Sequence, residues 1–210
     1  MLEPGLLGIL QPSLYPDSND LAVIDHYLDN GVRQFLVRSR GMAPEDYFEQ
    51  VRVLDVLKRD LDFQYVVHHH LEIFEESQAL GLHLTADSLP LAQVRGHFGP
   101  QVVLGYSAHS LDEAIQAEEF GADYVILGAI FETPKEHAAH PVLGLSALKA
   151  LTKRITIPVF AIGGIDAKNL QSVQDAGAYG FCALRAIYGD DNLDHNIAKL
   201  KWIWDGGHAH

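Results

Sequence analysis

The chain has 210 residues, of which 48% are hydrophobic and 20% charged, enough apolar material for one packed core and too little charge for a disordered chain. Its formal net charge of −13 argues against nucleic acid and anionic membrane surfaces as partners, because both want a basic footprint. No apolar stretch approaches the roughly 18 residues of a membrane span, Met1-Leu-Glu-Pro-Gly5 lacks the features of a secretory signal, and a single cysteine, Cys182, rules out an internal disulfide, so a cytoplasmic chain is expected.

Eight short apolar runs alternate with longer amphipathic stretches. In chain order the runs are Leu6–Leu10, Gln34–Arg38, Phe63–Val67, Gly81–Leu84, Val102–Gly105, Tyr124–Gly128, Pro158–Ile162 and Phe181–Leu184. Near-continuous apolarity over strand length suits parallel strands covered on both faces. The intervening segments read as helices. Ser110 to Phe120 is the clearest: Ser110 and Glu113 form a capping-box pair, Leu111, Ala114, Ile115 and Ala117 make one apolar face, and Gly121 is the stop. Asp166 to Ala176 repeats the plan, with Leu170, Val173 and Ala176 inward and Gly177 as the stop; Gly31 and Gly81 are expected to end earlier helices in the same way. Phe120-Gly-Ala-Asp-Tyr-Val125 and Asp175-Ala-Gly-Ala-Tyr-Gly180 look like one repeated helix-to-strand junction. Strands alternating with helices imply parallel pairing and right-handed crossovers. The expected fold is therefore α/β, a single (β/α)8 TIM barrel over residues 1–203, with 204–210 as a frayed tail. An open doubly wound sheet is the structural alternative, since a barrel typically takes about 250 residues.

In a barrel the strand carboxyl ends and the loops after them form the active face. After the second run come Arg38 and Arg40, which an extended strand would place on one side as a clamp for an anion; a solvated rim is the alternative. After the third run stands His68-His-His70. With His83 or His109 this triplet could complete a metal site, but hydrogen-bonded imidazoles are the better reading. After the fifth run, His109 directly precedes the capped helix, with a side chain suited to moving protons at neutral pH or to helping cap the helix. The sixth run leads into Phe131-Glu-Thr-Pro-Lys-Glu-His-Ala-Ala-His140, a lid or a plain loop in which Thr133 and Lys135 could donate to a phosphate. After the seventh run, Gly163 and Gly164 would let backbone amides approach an anion. After the eighth, Leu184 and Arg185 would complete a phosphate site with a fixed cation. Cys182 sits in an apolar run and reads as a packed thiol rather than a nucleophile.

The run Gly105–Thr133, together with Ile157–Ile165, Gly81–Leu84 and the strand end at Arg38, resembles the thiamine phosphate synthase/TenI family over nearly the whole chain. The resemblance implies a TIM barrel, a small phosphorylated thiazole ligand, and barrels that often pair as homodimers. It also implies one of two activities. A synthase couples hydroxymethylpyrimidine diphosphate to thiazole phosphate with Mg²⁺; a TenI-type tautomerase aromatises a carboxythiazole phosphate by moving a proton, with no metal. The synthase pattern places an Asn-Asp pair after the third strand and Gly-Gln-x-Asp after the fourth. Here those places read His68-His69 and Thr85-Ala86-Asp87-Ser88. Leu36 replaces the family's Gln before the strand-two arginine, and the lid reads Thr133-Pro-Lys-Glu136. The TenI pattern puts its histidine on His109. The expectation is a cofactor-free tautomerase, with a Mg²⁺-dependent synthase and a non-catalytic thiazole-phosphate-binding regulator as the alternatives.

Overall fold

The computed structural model describes residues 1–16, 18–133, 141–189 and 192–207. All eight expected runs form strands. The first is split at Leu7 into β1 (Gly5–Leu6) and β2 (Gly8–Leu10), followed by β3 (Gln34–Val37), β4 (Gln64–His68), β5 (Gly81–Leu84), β6 (Val103–Ala108), β7 (Tyr124–Gly128), β8 (Val159–Ile162) and β9 (Gly180–Cys182). Every pairing is parallel, in the order β1-β9-β8-β7-β6-β5-β4-β3-β2. The split closes the barrel, because one half of the first strand bonds β9 and the other bonds β3. Helices α1 (Asp20–Asp29), α2 (Pro44–Leu57), α3 (Leu71–Glu75), α4 (Leu91–Phe98), α5 (Leu111–Glu119), α6 (Gly144–Leu151), α7 (Leu170–Asp175), α8 (Arg185–Tyr188) and α9 (Leu193–Trp204) follow the strands. No helix among the described residues is long and apolar enough to cross a membrane.

Strand alternation produces two cores. Outward residues such as Phe35, Val67, Leu82, Leu104, Val125 and Phe181 pack under the helices, while Leu7, Ile9, Leu36, Val66, Val103, Tyr124, Ile126, Phe160 and Cys182 fill the barrel interior. Two-sided burial is why the runs are apolar without a period of two. Register pairs large inward rings with glycines on the adjacent strands. Tyr124 lies opposite Gly105 and Phe160 opposite Gly180, and a Cβ on either glycine would come within 2.4 Å of the ring it faces.

Four expectations about local structure change. The helix expected over 166–176 begins only at Leu170. Asp166 Oδ1 accepts from the Lys168 amide at 2.8 Å and Asn169 Oδ1 from the Asp166 amide at 2.9 Å, local bonds that compete with the first helical turn. Gly81 does not stop a helix. It opens β5, where a Cβ would lie 1.9 Å from the Val103 carbonyl oxygen; close strand approach is its reason. The capping box of α5 is shifted: Ser110 Oγ accepts from the Glu113 amide at 3.1 Å, but the Glu113 carboxylate accepts from the His109 amide at 2.8 Å, one residue earlier than expected. The tail expected to fray from residue 204 is tied down as far as Gly207. Trp204 ends α9 with its ring 5.1 Å from that of Phe181, and the amides of Gly206 and Gly207 return to Ile203 and Trp202.

Candidate functional site

Inward parity continues past the strand ends and selects the groups at the carboxyl-terminal mouth of the barrel. Arg38 follows Leu36, His68 follows Val66, Ser107 and then His109 follow Gly105, and Leu184 follows Cys182. β3 ends at Val37, so Arg38 and Arg40 do not share a strand face as expected. Arg38 is anchored by its amide, which donates to the Leu10 carbonyl at 2.8 Å, and its side chain is partly buried; Arg40 is exposed in the turn that follows. Burial, and then Arg40, lower the proton affinity of the Arg38 guanidinium, and no carboxylate among the described residues pairs with it. A partly desolvated cation of this kind is suited to receive an anionic group.

His109 Nδ1 lies 2.8 Å from the Gly128 carbonyl oxygen. A carbonyl only accepts, so Nδ1 carries the hydrogen and, in the neutral ring, Nε2 holds the lone pair. Its backbone takes part in capping α5, as the capping reading expects, while its imidazole is held by β7.

Gly163 and Gly164 follow β8 with φ of +100° and +64°. Their missing side chains admit the segment after β7: a Cβ on Gly163 would lie 2.6 Å from Ala129 Cα, and one on Gly164 2.6 Å from the Glu132 carbonyl oxygen. The Phe131 amide donates to the Gly163 carbonyl at 3.0 Å, whereas the amides of Gly163 and Gly164 have no acceptor among the described residues. Leu184 is the N-cap of α8, and Arg185, its first residue, is exposed. Two turns with orphan amides thus adjoin at the ends of β8 and β9, an arrangement that suits an anion. Thr133 is partly buried at the edge of the segment after β7; Lys135, with the rest of 134–140, lies outside the described residues.

The histidine triplet splits into separate roles. His68 stacks on His83 at 6.1 Å and 19°, with Ser39 Oγ 3.2 Å from its Nδ1. Burial first, then Arg38, His69 and His70, bring its pKa down to about 3. His69, at φ +70°, bonds Ser88 Oγ at 2.8 Å, and His70 packs on the Tyr47 ring. His83 is fully buried and pushed well below the usual histidine range by burial, His68 and Arg38. Among the described residues no three His, Cys, Asp or Glu side chains come together as a metal site. The loops after β4 and β5 offer one carboxylate, the exposed Asp87, amid imidazoles. A hard cation bridging phosphates is held by carboxylate and water oxygens, and this donor set, imidazoles with a single exposed carboxylate, offers few of them. Cys182 is buried in the interior core, and burial pushes its thiol up to about 12, which makes it a packing residue.

Sequence reasoning missed Ser39, Ser107 and Tyr124. The signal available for the last two was the inward parity shared by residues 103, 105, 107 and 109 and by 124, 126 and 128. Two cavities lie elsewhere, one of about 330 Å³ at the opposite end of the barrel beside Gly5, Arg33 and Trp204, the other of about 400 Å³ beside Tyr15, Leu21 and Val53. Neither is lined by His109, Arg38 or Gly163, so side-chain chemistry rather than cavity size locates this site.

The family profile described as "Thiamine monophosphate synthase" (TMP-TENI) matches residues 6–187. The chain belongs to this family. A thiamine-phosphate synthase of Syntrophomonas wolfei is 33% identical over 175 residues, 83% of this chain and 84% of that protein. Another, of Halalkalibacterium halodurans, is 33% identical over 189 residues, 90% of this chain and 89% of that one. The thiamine phosphate pyrophosphorylase of Pyrococcus furiosus superposes with a TM-score of 0.84 at 26% identity, covering 96% of this chain and 95% of its own. Family membership makes the chain a thiamin-biosynthesis barrel, and the relatives carry the synthase name.

Proposed function

We propose that the protein is a TenI-like thiazole tautomerase that aromatises a carboxythiazole phosphate without a metal. The observation that supports this reading best is the donor set at the ends of β4 and β5, where imidazoles stand in place of the carboxylates that a metal-held diphosphate requires. In the proposed complex the amides of Gly163, Gly164 and Arg185, with the Arg185 side chain, hold the phosphate, and Arg38 takes the carboxylate. Arg40, Thr133, Leu184 and Lys135 form the rim. Nε2 of His109 accepts a proton from one ligand carbon, and a proton is returned to another carbon of the same molecule. The electron pair of the broken C–H bond enters the ring. The product is an isomer, so no oxidant or reductant is needed, and aromaticity supplies the driving force.

The test follows aromatisation of the carboxythiazole phosphate tautomer by ultraviolet absorbance with EDTA present. A rate above background that falls about 10²–10⁴-fold in His109→Ala, with phosphate-ligand affinity kept, is the expected result. An unchanged rate in that variant removes His109 from the chemistry. The second reading is a thiamine-phosphate synthase, favoured by the names of the relatives. EDTA-sensitive coupling of hydroxymethylpyrimidine diphosphate to thiazole phosphate, with no tautomerase rate, would establish it instead. Tight thiazole phosphate binding with neither activity would indicate a regulator.

A further inference from the structure

The apolar interior of the barrel conceals a polar column. His83 Nδ1 lies 2.9 Å from the Tyr124 hydroxyl, and its Nε2 lies 2.8 Å from Ser107 Oγ. Tyr124 and His83 are fully buried, whereas Ser107 reaches the partly exposed mouth two residues before His109. Gly105 makes the column possible, because a Cβ there would lie 2.4 Å from the Tyr124 hydroxyl.

The hydrogens of this column have two arrangements. In one, Tyr124 O–H donates to Nδ1, Nε2–H donates to Ser107 Oγ, and the Ser107 proton is free to turn outward. In the other, Ser107 donates to Nε2 and Nδ1–H donates to the Tyr124 oxygen. The Tyr124 proton then has no acceptor, since His83 is the one hydrogen-bond partner of that hydroxyl among the described residues. An unsatisfied donor in a dry interior carries its whole desolvation cost, so the buried end of the column selects the first arrangement. A doubly protonated ring would also break the column, and burial, His68 and Arg38 keep His83 neutral.

We propose that Tyr124 and His83 are positioning residues that hold Ser107 as an acceptor from below, so that its hydroxyl proton is donated to an acceptor atom of the ligand beside His109. This rests on the proposed ligand site at the barrel mouth, but the polarity of the column can be measured without any ligand.

Nitrogen-15 spectra of histidine-labelled protein, with the His83 signals assigned by their loss in His83→Asn, should show Nε2 protonated and Nδ1 bare. A protonated Nδ1 overturns the proposal. The consequence for binding is read from a cycle of Tyr124→Phe, Ser107→Ala and the double variant, using the KM for the carboxythiazole phosphate and the Kd for thiazole phosphate. Tyr124→Phe should raise both about 2- to 10-fold, the range of one neutral hydrogen bond, with kcat little changed. It should add nothing in the Ser107→Ala background. Equal losses in both backgrounds would mean that Tyr124 acts through packing, and would sink the proposal. A cycle that holds for Kd in a protein with no tautomerase turnover refutes the tautomerase and leaves the column standing. Failure of the wild-type protein to bind thiazole phosphate overturns both.

Discussion

Gly105→Ala tests the packing on which the barrel interior depends. The new methyl would stand 2.1 Å from Tyr124 Cζ, where carbon atoms settle at about 3.5–4.0 Å, so the ring must retreat by roughly 1.5 Å. It has little room, because the Phe160 ring stands edge-on at 5.8 Å and the His83 ring lies at 5.5 Å. Retreat also breaks the 2.9 Å bond to His83. Overpacking costs about 1–3 kcal/mol, and stranding a buried hydroxyl costs about as much again. The expected loss is about 2–6 kcal/mol. At about 2–4 °C per kcal/mol for a chain of this size, the Tm should fall by at least about 4 °C. Urea unfolding followed by circular dichroism measures it, with Tyr124→Leu as the second corner of a double-mutant cycle. In that background the methyl finds space, and most of the cost should disappear. A loss below about 1 kcal/mol, or strict additivity with Tyr124→Leu, would refute the close pairing of ring and glycine.

Two further outcomes follow from titratable side chains held away from water. Arg95 on α4 donates to the carbonyls of Gly99, Val102 and Gly121 and to Asp123, tying the turns before β6 and β7. Arg95→Ala should cost roughly 2–4 kcal/mol in urea unfolding, Arg95→Lys should recover only part of it, and thiazole phosphate affinity should stay unchanged. His68 and His83 are neutral when folded, and both folded pKa values lie below the unfolded value near 6.5. The unfolded chain therefore binds protons that the folded chain does not, and stability falls as pH drops below about 6.5, for His68 toward about 3, by up to about 1.4 kcal/mol per pH unit for each ring. Urea midpoints at pH 7 and pH 5 that agree would contradict the neutrality of both.

The mouth of the barrel is partly legible in the order of residues along the chain. Arg38 ends an apolar run, Gly163, Gly164 and Arg185 follow runs, and His109 lies four residues beyond one; barrel chemistry gathers at strand ends. Other features are hidden by their composition. Tyr124 opens an apolar run and counts there as one more core residue. Gly81 looks like a helix stop in one dimension and is a close strand contact in three. The late start of α7 depends on bonds from Asp166 and Asn169 that compete locally with a helix pattern.

By itself the sequence determined the eight strands, their alternation with helices and their parallel pairing, with a closed barrel and an open doubly wound sheet both left open. Those follow from burial on both faces and from glycine stops, both of which are local signals. Tertiary structure alone decided which inward residues meet. His83, Ser107 and Tyr124 come from three strands, and His109 meets the Gly128 carbonyl across another pairing. Their contacts depend on strand register and barrel closure. Hydrogen bonds between strands are set by that register, and no pattern along a single strand contains it.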